Sequence, residues 1–238
     1  MIFRQLFDHE TWTYTYLLGD KATREAVIID PVVEQLPLYV RLLKELDLKL
    51  IYGIDTHVHA DHVTGLGALR ETFGARSAHG FGSTASGIDR FVKDGEEVAF
   101  GGHALTALAT PGHTDDSFSF LLKNGDQFMV FTGDTLLIRG SGRTDFQNGD
   151  AGMQYDSIHE KLLTLPDDTV VYPGHDYRGV SESRIGEEKR FNPRLQVANK
   201  AEYVDLMGNL KLANPKFMDV AVPANLAAGV TYTGEYHI

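Results

Sequence analysis

Apolar positions along the chain switch repeatedly between strand-like runs and helix-spaced sets, so strands and helices are expected to mix through both halves. Residues 13–18 and 26–29 read as strands, with Gly19-Asp20 as a turn between them. Residues 36–46 carry apolar side chains at helical spacing, and residues 50–55 form a short apolar run expected as a buried strand. Residues 63–73 look helical and stop at Gly74. Residues 97–100 and 104–109 read as strands joined at Gly101-Gly102. Residues 117–122 and 127–132 flank Asn124-Gly125, a hairpin signal because that pair tolerates the positive φ angles of a tight turn. Residues 155–165 read as a helix ending at Pro166, residues 169–172 as a short strand, and residues 181–191 and 198–210 as helices. Residues 211–238 contain Pro215, Pro223 and little pattern, and are expected to run over the surface. Sheets packed inside and helices outside would bury such a mixture, and a two-sheet core with two helical outer layers fits. Periodicity does not set the number of sheets.

The 238 residues suffice for one good-sized core or two small packed halves. Apolar residues make up 42% and charged residues 23%, ordinary values for a folded chain. No run of about 18 apolar residues is present, so no membrane span is expected. The start, Met1-Ile2-Phe3-Arg4-Gln5-Leu6-Phe7-Asp8, lacks the basic and long apolar regions of a secretory signal, and Asp8 and Glu10 argue against a mitochondrial transit peptide. A formal net charge of −11 repels phosphate backbones, which disfavours nucleic acid as a partner. The absence of cysteine removes disulfides, thiolate ligands and a cysteine nucleophile together. Any metal must therefore be held by nitrogen and oxygen. Absent signals and absent cysteines together point to the cytoplasm.

Five of the ten histidines fall in short polar motifs that follow strand-like runs. The most specific is Thr56-His57-Val58-His59-Ala60-Asp61-His62. His57 and His59 are two apart and share one side of an extended backbone, and Asp61 and His62 follow as the chain turns toward a helix. Neutral imidazole and carboxylate suit zinc, iron or manganese. The bland alternative is a polar loop with Asp61 capping a helix. Single ligand-type residues follow in Pro111-Gly112-His113-Thr114, Thr132-Gly133-Asp134-Thr135 and Tyr172-Pro173-Gly174-His175-Asp176. Each alone reads as a turn or a cap, but together they supply what a site begun at His57 lacks. His9, His79, His103, His159 and His237 lie outside these motifs.

His-x-His-x-Asp-His followed by single His, Asp and His motifs, in that order, resembles the metallo-β-lactamase superfamily over residues 13–175. That resemblance implies an α/β fold, the αββα sandwich with two mixed β-sheets flanked by helices. It implies seven ligand candidates, His57, His59, Asp61, His62, His113, Asp134 and His175, all used where two zinc ions are bound. It also implies a single domain over residues 1–238, with 176–238 as a C-terminal substrate-contacting extension.

The flanking residues narrow the choice. Asp134 is followed by Thr135-Leu136-Leu137-Ile138-Arg139-Gly140-Ser141-Gly142-Arg143-Thr144-Asp145-Phe146-Gln147, which resembles the persulfide (sulfur) dioxygenases. His175-Asp176-Tyr177, Asn192-Pro193-Arg194-Leu195 and Val222-Pro223-Ala224-Asn225 match the same family. The resemblance implies one Fe(II) per chain held by His57, His113 and Asp134, a facial triad that leaves positions open for oxygen and substrate. His59, Asp61, His62 and His175 would then surround the ligands with hydrogen bonds. It implies glutathione persulfide and O2 as substrates, with sulfite and glutathione as products. Arg143, Tyr177 and Arg194 match the family's substrate contacts, and guanidinium groups grip carboxylates in pairs. Alternatively, Arg143 could be tied to Asp145, Arg194 to Glu187 and Glu188, and Tyr177 could simply pack. Some family members carry cysteines where this chain has Ser141 and Ala228. A homodimer is implied, and any rhodanese would be a separate protein.

The competing enzyme is a glyoxalase II-like hydrolase with two metals, whose bridging hydroxide attacks a glutathione thioester. The Arg139-to-Gln147 run argues against it. A nuclease of the same fold fits the acidic charge poorly, and a closed structural metal site would not need seven ligand candidates.

Overall fold

A computed structural model describes residues 1–213 and 215–230. The chain divides into one unit of residues 1–92, 98–104 and the C-terminal stretch from 214, and a second of residues 93–97 and 105–213. His237 lies outside the described residues.

A mixed sheet of six strands, in chain order, occupies the first unit: β1 (Ile2–Asp8), β2 (Thr13–Gly19), β3 (Glu25–Ile29), β4 (Lys49–Ile54), β5 (Arg76–Gly80) and β6 (Arg90–Val92). β1, β2 and β3 are antiparallel neighbours, whereas β3 to β6 pair in parallel. Parallel neighbours need a crossover. Helix α1 (Leu36–Glu45) lies in the crossover from β3 to β4 and helix α2 (Leu66–Phe73) in that from β4 to β5, whereas residues 81–89 join β5 to β6 without a helix. α1 starts with Pro37 in its first turn, where a missing N–H costs nothing, and buries Leu36, Tyr39 and Leu43. Each such buried side chain contributes about 2 kcal/mol of hydrophobic stabilisation. α2 stops at Gly74, whose φ of 66° ends the helix in the left-handed conformation.

A second mixed sheet runs in the order β12-β11-β10-β9-β8-β7, with β7 Glu97–Phe100, β8 His103–Ala109, β9 Phe118–Asn124, β10 Gln127–Gly133, β11 Val170–Pro173 and β12 Ser183–Arg184. β10 and β11 are parallel, and β8, β9 and β10 are antiparallel. The expected hairpin forms. Asn124 pairs with Gln127, and Gly125 alone takes the positive φ, at 65°. Helix α3 (Ala151–Asp156), its π-helical continuation Ser157–Leu162, α4 (Ile185–Phe191) and α5 (Lys200–Gly208) belong to the second unit. Ile158, Leu162, Ile185 and Tyr203 share a core there with Val130 and Val171 of the sheet. A last helix, α6 (Met218–Asn225), returns to the first unit and buries Ala221 and Ala224 in its core.

Several expectations change. β1, β5 and β6 add to the strands that the hydrophobic pattern predicts. The helix read over 63–73 begins only at Leu66, and that read over 181–191 is preceded by the strand residues Ser183–Arg184. The helix read over 155–165 starts earlier, at Ala151. The stretch read as surface chain holds α6, because Ala221, Ala224 and Asn225 fall on one buried face.

Candidate metal centre

In the first unit β3 and β4 end side by side; β4 runs into the His-rich loop, and Asp30, directly after β3, braces it. Asp30 follows β3 with a φ of 50°, fixed by its N–H bond to Ile54 O at 2.8 Å and by the Thr15 hydroxyl on its carbonyl at 2.6 Å. Its carboxylate, almost fully buried, accepts from the Thr56 N–H at 2.7 Å and from the Thr56 hydroxyl at 3.0 Å, and lies 3.1 Å from His59 Nε2. Thr56 Oγ1 in turn lies 3.0 Å from His57 Nδ1. Asp55 accepts from the Thr64 hydroxyl at 2.9 Å and lies 3.3 Å from His79 Nε2. Asp61 accepts from the Thr13 hydroxyl at 3.0 Å and lies 2.8 Å from His62 Nδ1. The loop is thus strung between carboxylates that fix its ring planes. His57 and His59 rings stand 4.2 Å apart, and His59 and His62 rings 4.3 Å apart.

Two ring nitrogens in this loop, His59 Nδ1 and His62 Nε2, are buried and have no hydrogen-bond partner. An orphaned buried polar atom is costly unless something coordinates it. One ligand atom from each of His59, Asp61 and His62 lies within 4.8 Å of the others. Burial pushes His59 toward the neutral form, but the Asp30 carboxylate, with Asp55 and Asp61, lifts its pKa to about 9. This nest of carboxylates therefore favours a cation within it.

The second unit gathers His113, Asp134 and His175. His113 follows β8 through Thr110-Pro111-Gly112. Gly112 has a φ of 138°, and a Cβ there would meet the Gln154 backbone at 2.3 Å. His113 Nδ1 lies 2.6 Å from the Arg143 carbonyl, which can only accept, so Nδ1 carries a proton and the neutral ring has its lone pair on Nε2. Nε2 lies 3.6 Å from Asp134 Oδ2. Donors sharing one ion at about 2.1 Å each stand about 3 Å or a little more apart, so this spacing suits a common metal. Asp134 Oδ1 lies 2.7 Å from His175 Nδ1, and Gly142 N–H donates to the Asp134 carbonyl at 2.6 Å. The loop after Asp134 therefore holds both the carboxylate residue and the tautomer of His113.

The three expected substrate contacts differ in their surroundings. Arg143 forms a paired contact with Asp145 at 2.6 and 2.7 Å, donates to the Ala213 carbonyl at 2.7 Å and covers the Phe146 ring at 4.0 Å. The tie to Asp145 is thus present. For Arg194 the alternative tie is absent: Glu187 and Glu188 pair with Arg139 instead. Arg194 donates to the Ser141 carbonyl and to its hydroxyl, the latter at 3.1 Å, and makes no ion pair among the described residues. Burial lowers its pKa. Tyr177 is 63% exposed, with its ring parallel to that of His175 at 6.1 Å. Sequence reasoning left Asp30 and Asp55 without a role. The signal was there, a carboxylate directly after each of two fully apolar strand ends.

The metallo-beta-lactamase superfamily pattern matches residues 13–175. The mitochondrial persulfide dioxygenase ETHE1 of Homo sapiens is 49% identical over 97% of this chain and 89% of its own length. The crystal structure of ETHE1 from Myxococcus xanthus superposes with a TM-score of 0.92 at 55% identity, covering 96% of this chain and all of the other. A probable hydroxyacylglutathione hydrolase of Schizosaccharomyces pombe is 33% identical over 87% of this chain and 90% of its own length.

Proposed function

The chain belongs to the metallo-β-lactamase superfamily and, within it, to the persulfide dioxygenases, and from that membership we propose that it oxidises glutathione persulfide with O2 and water to sulfite and glutathione. Its fold is the α/β metallo-β-lactamase fold, two mixed sheets flanked by helices. What carries the functional reading is the likeness to persulfide dioxygenases over nearly the whole chain at about half identity, against 33% for the hydrolase.

His57, His113 and Asp134 would hold one Fe(II) per chain. The donor set fits, with two imidazoles, one carboxylate and no thiolate anywhere in the sequence. Bound iron(II) supplies the electron exchange with dioxygen that a closed-shell persulfide makes only slowly by itself. The protein supplies orientation. The Arg143 carbonyl accepts from His113 Nδ1–H, so the neutral ring offers Nε2, His175 braces Asp134, and Asp30 braces Thr56 and His59. Arg143 and Arg194 would take the carboxylates of glutathione, Arg143 by exchanging Asp145 for the ligand. Tyr177, exposed beside His175, would hydrogen-bond the substrate through its hydroxyl. In the balanced reaction the terminal sulfur loses electrons to O2. Water provides the third sulfite oxygen, and the S–S bond breaks to leave the glutathione thiol. The segment 176–238 would act as the substrate-contacting extension.

Oxygen uptake by anaerobically iron-loaded protein on adding glutathione persulfide tests this. Sulfite should appear in step with the oxygen consumed, and an intact loaded protein that consumes none contradicts it.

A second reading rests on the orphaned nitrogens His59 Nδ1 and His62 Nε2, which could take part in a second metal position. That would give a glyoxalase II-like hydrolase with two zinc ions. Metal content separates the two, at one ion per chain or two.

For partners, a homodimer and a separate rhodanese are part of this proposal. No helix among the described residues is long and apolar enough to cross a membrane. The compartment proposed is the cytoplasm, on the composition, although the human relative is named mitochondrial.

A further inference from the structure

The motif Val222-Pro223-Ala224-Asn225 ends α6, and none of its four residues has yet been given a role of its own. Asn225 is 1% exposed, yet it is a polar side chain at the inner face of a short helix. Among the described residues its amide bonds to one loop. Nδ2 donates to the His59 carbonyl at 2.9 Å and to the His62 carbonyl at 2.8 Å. Oδ1 accepts from the Thr64 N–H at 2.8 Å. Both amide hydrogens and one oxygen lone pair are thus spent on residues 59–64 from more than 160 positions away. All four residues lie in the first unit.

The chain around Asn225 is shaped to reach that loop. Gly67 N–H donates to the Ala228 carbonyl at 2.9 Å, and Ser86 donates through N–H and hydroxyl to the Leu226 carbonyl at 2.7 and 3.0 Å. Ala228 has a φ of 54° and is fully buried. Gly229, φ 72°, passes so close that a Cβ would stand 2.3 Å from the Thr64 carbonyl. Packing alone would be met by an apolar residue at 225. An amide with three directed bonds fixes the path of the His-rich turn, because carbonyl directions set the peptide planes and hence the Cα–Cβ vectors of His59 and His62.

We propose that Asn225 is a positioning residue for the metal-binding loop: it templates the turn from His59 to Thr64, so that the C-terminal helix helps to hold the imidazoles and carboxylate that surround the proposed iron ligand His57. The inference rests on the reading of that loop as a metal-binding element. It adds that metal affinity and α6 docking are coupled, and coupling of this kind is reciprocal.

The test measures anaerobic iron(II) affinity for the unaltered protein, Asn225→Ala and Asn225→Asp, with circular dichroism and thermal unfolding on the same samples. Asn225→Asp keeps the size and the acceptor for Thr64 but turns an oxygen toward the two carbonyls. Both variants should bind iron about 10- to 100-fold more weakly than the parent while remaining folded. Amide hydrogen exchange on the unaltered protein covers the case in which neither variant folds: iron loading should slow exchange in residues 218–226 together with residues 59–64. Folded variants with parental affinity, or α6 exchange indifferent to iron, overturn the proposal. A parent that binds neither iron nor zinc overturns the metal-centre reading itself, and this inference with it.

Discussion

A methyl group at Gly142 would stand 2.4 Å from the Asp134 carbonyl and 2.7 Å from His113 Nδ1, so a single carbon separates a formed site from a displaced one. Gly142→Ala should cost about 1–3 kcal/mol in strain and lower the iron bound per chain, read by thermal unfolding and metal analysis. His113→Ala removes a proposed ligand outright and should abolish oxygen uptake with little change in far-ultraviolet circular dichroism. Backbone N–H groups of Gly102, Thr23 and Ala22 hold the Asp20 carboxyl down to about 2. A depressed carboxyl contributes stability above its ordinary value of 3.8 and loses that contribution as pH falls through about 2. Asp20→Asn should therefore flatten the acid side of the stability profile between those values, measured by urea unfolding as a function of pH. A profile with the parent's slope there would remove Asp20 from the account of acid sensitivity.

α4 is held to the loop after Asp134 through Glu188, which is fully buried. Its carboxylate accepts from the Arg139 N–H at 2.9 Å, the Arg139 guanidinium, the Ser183 hydroxyl at 2.6 Å and Asn192 Nδ2 at 2.9 Å. Arg139 itself has a φ of 55°, a conformation few side chains adopt without support. Glu188→Ala should cost about 3 kcal/mol, because it takes the shared buried acceptor from the Arg139 N–H, the Ser183 hydroxyl and Asn192 Nδ2 and removes the clamp on a strained residue. Thermal unfolding reads the loss. Elements carried by apolar runs, such as β2, β4 and β10, were legible in the sequence, as was the Asn124-Gly125 hairpin. The misses have a common physical cause. β1 is an edge strand whose residues are mostly half-buried, so no clean alternation is written into Ile2–Asp8. β5 reads Arg-Ser-Ala-His-Gly, polar residues buried between two parallel neighbours because Asp89 and Asp55 satisfy Ser77 and His79. α6 carries Pro223 and only small buried residues, which mimic loop composition. The seven ligand candidates could be named from residue type alone. The hydrogen bonds of Asp30, Asp55 and Asn225 to the His-rich segment could not, since those partners are distant in sequence.

At the scale of the whole molecule, one mixed sheet in each unit carries part of the proposed ligand set on the loops that follow its strands: His57 after β4, His113 after β8 and Asp134 after β10. Loops on rigid sheet ends are where side chains can be exacting without destabilising a core. The net charge of −11 does not oppose a glutathione substrate if Arg143 and Arg194 meet its carboxylates locally. Arg194→Met should then raise KM for the persulfide about tenfold or more and change kcat less, because removing a binding interaction equally from the ground and transition states moves KM alone. The proposed activity is iron-dependent oxidation of a persulfide rather than thioester hydrolysis by the same superfamily. Oxygen uptake measured on anaerobically iron-loaded protein, with metal content determined on the same sample, separates the two. Uptake is expected on adding glutathione persulfide, with stoichiometric sulfite and one iron per chain. Absence of uptake from folded, iron-loaded protein, together with hydrolysis of lactoylglutathione by protein holding two metals per chain, would contradict it.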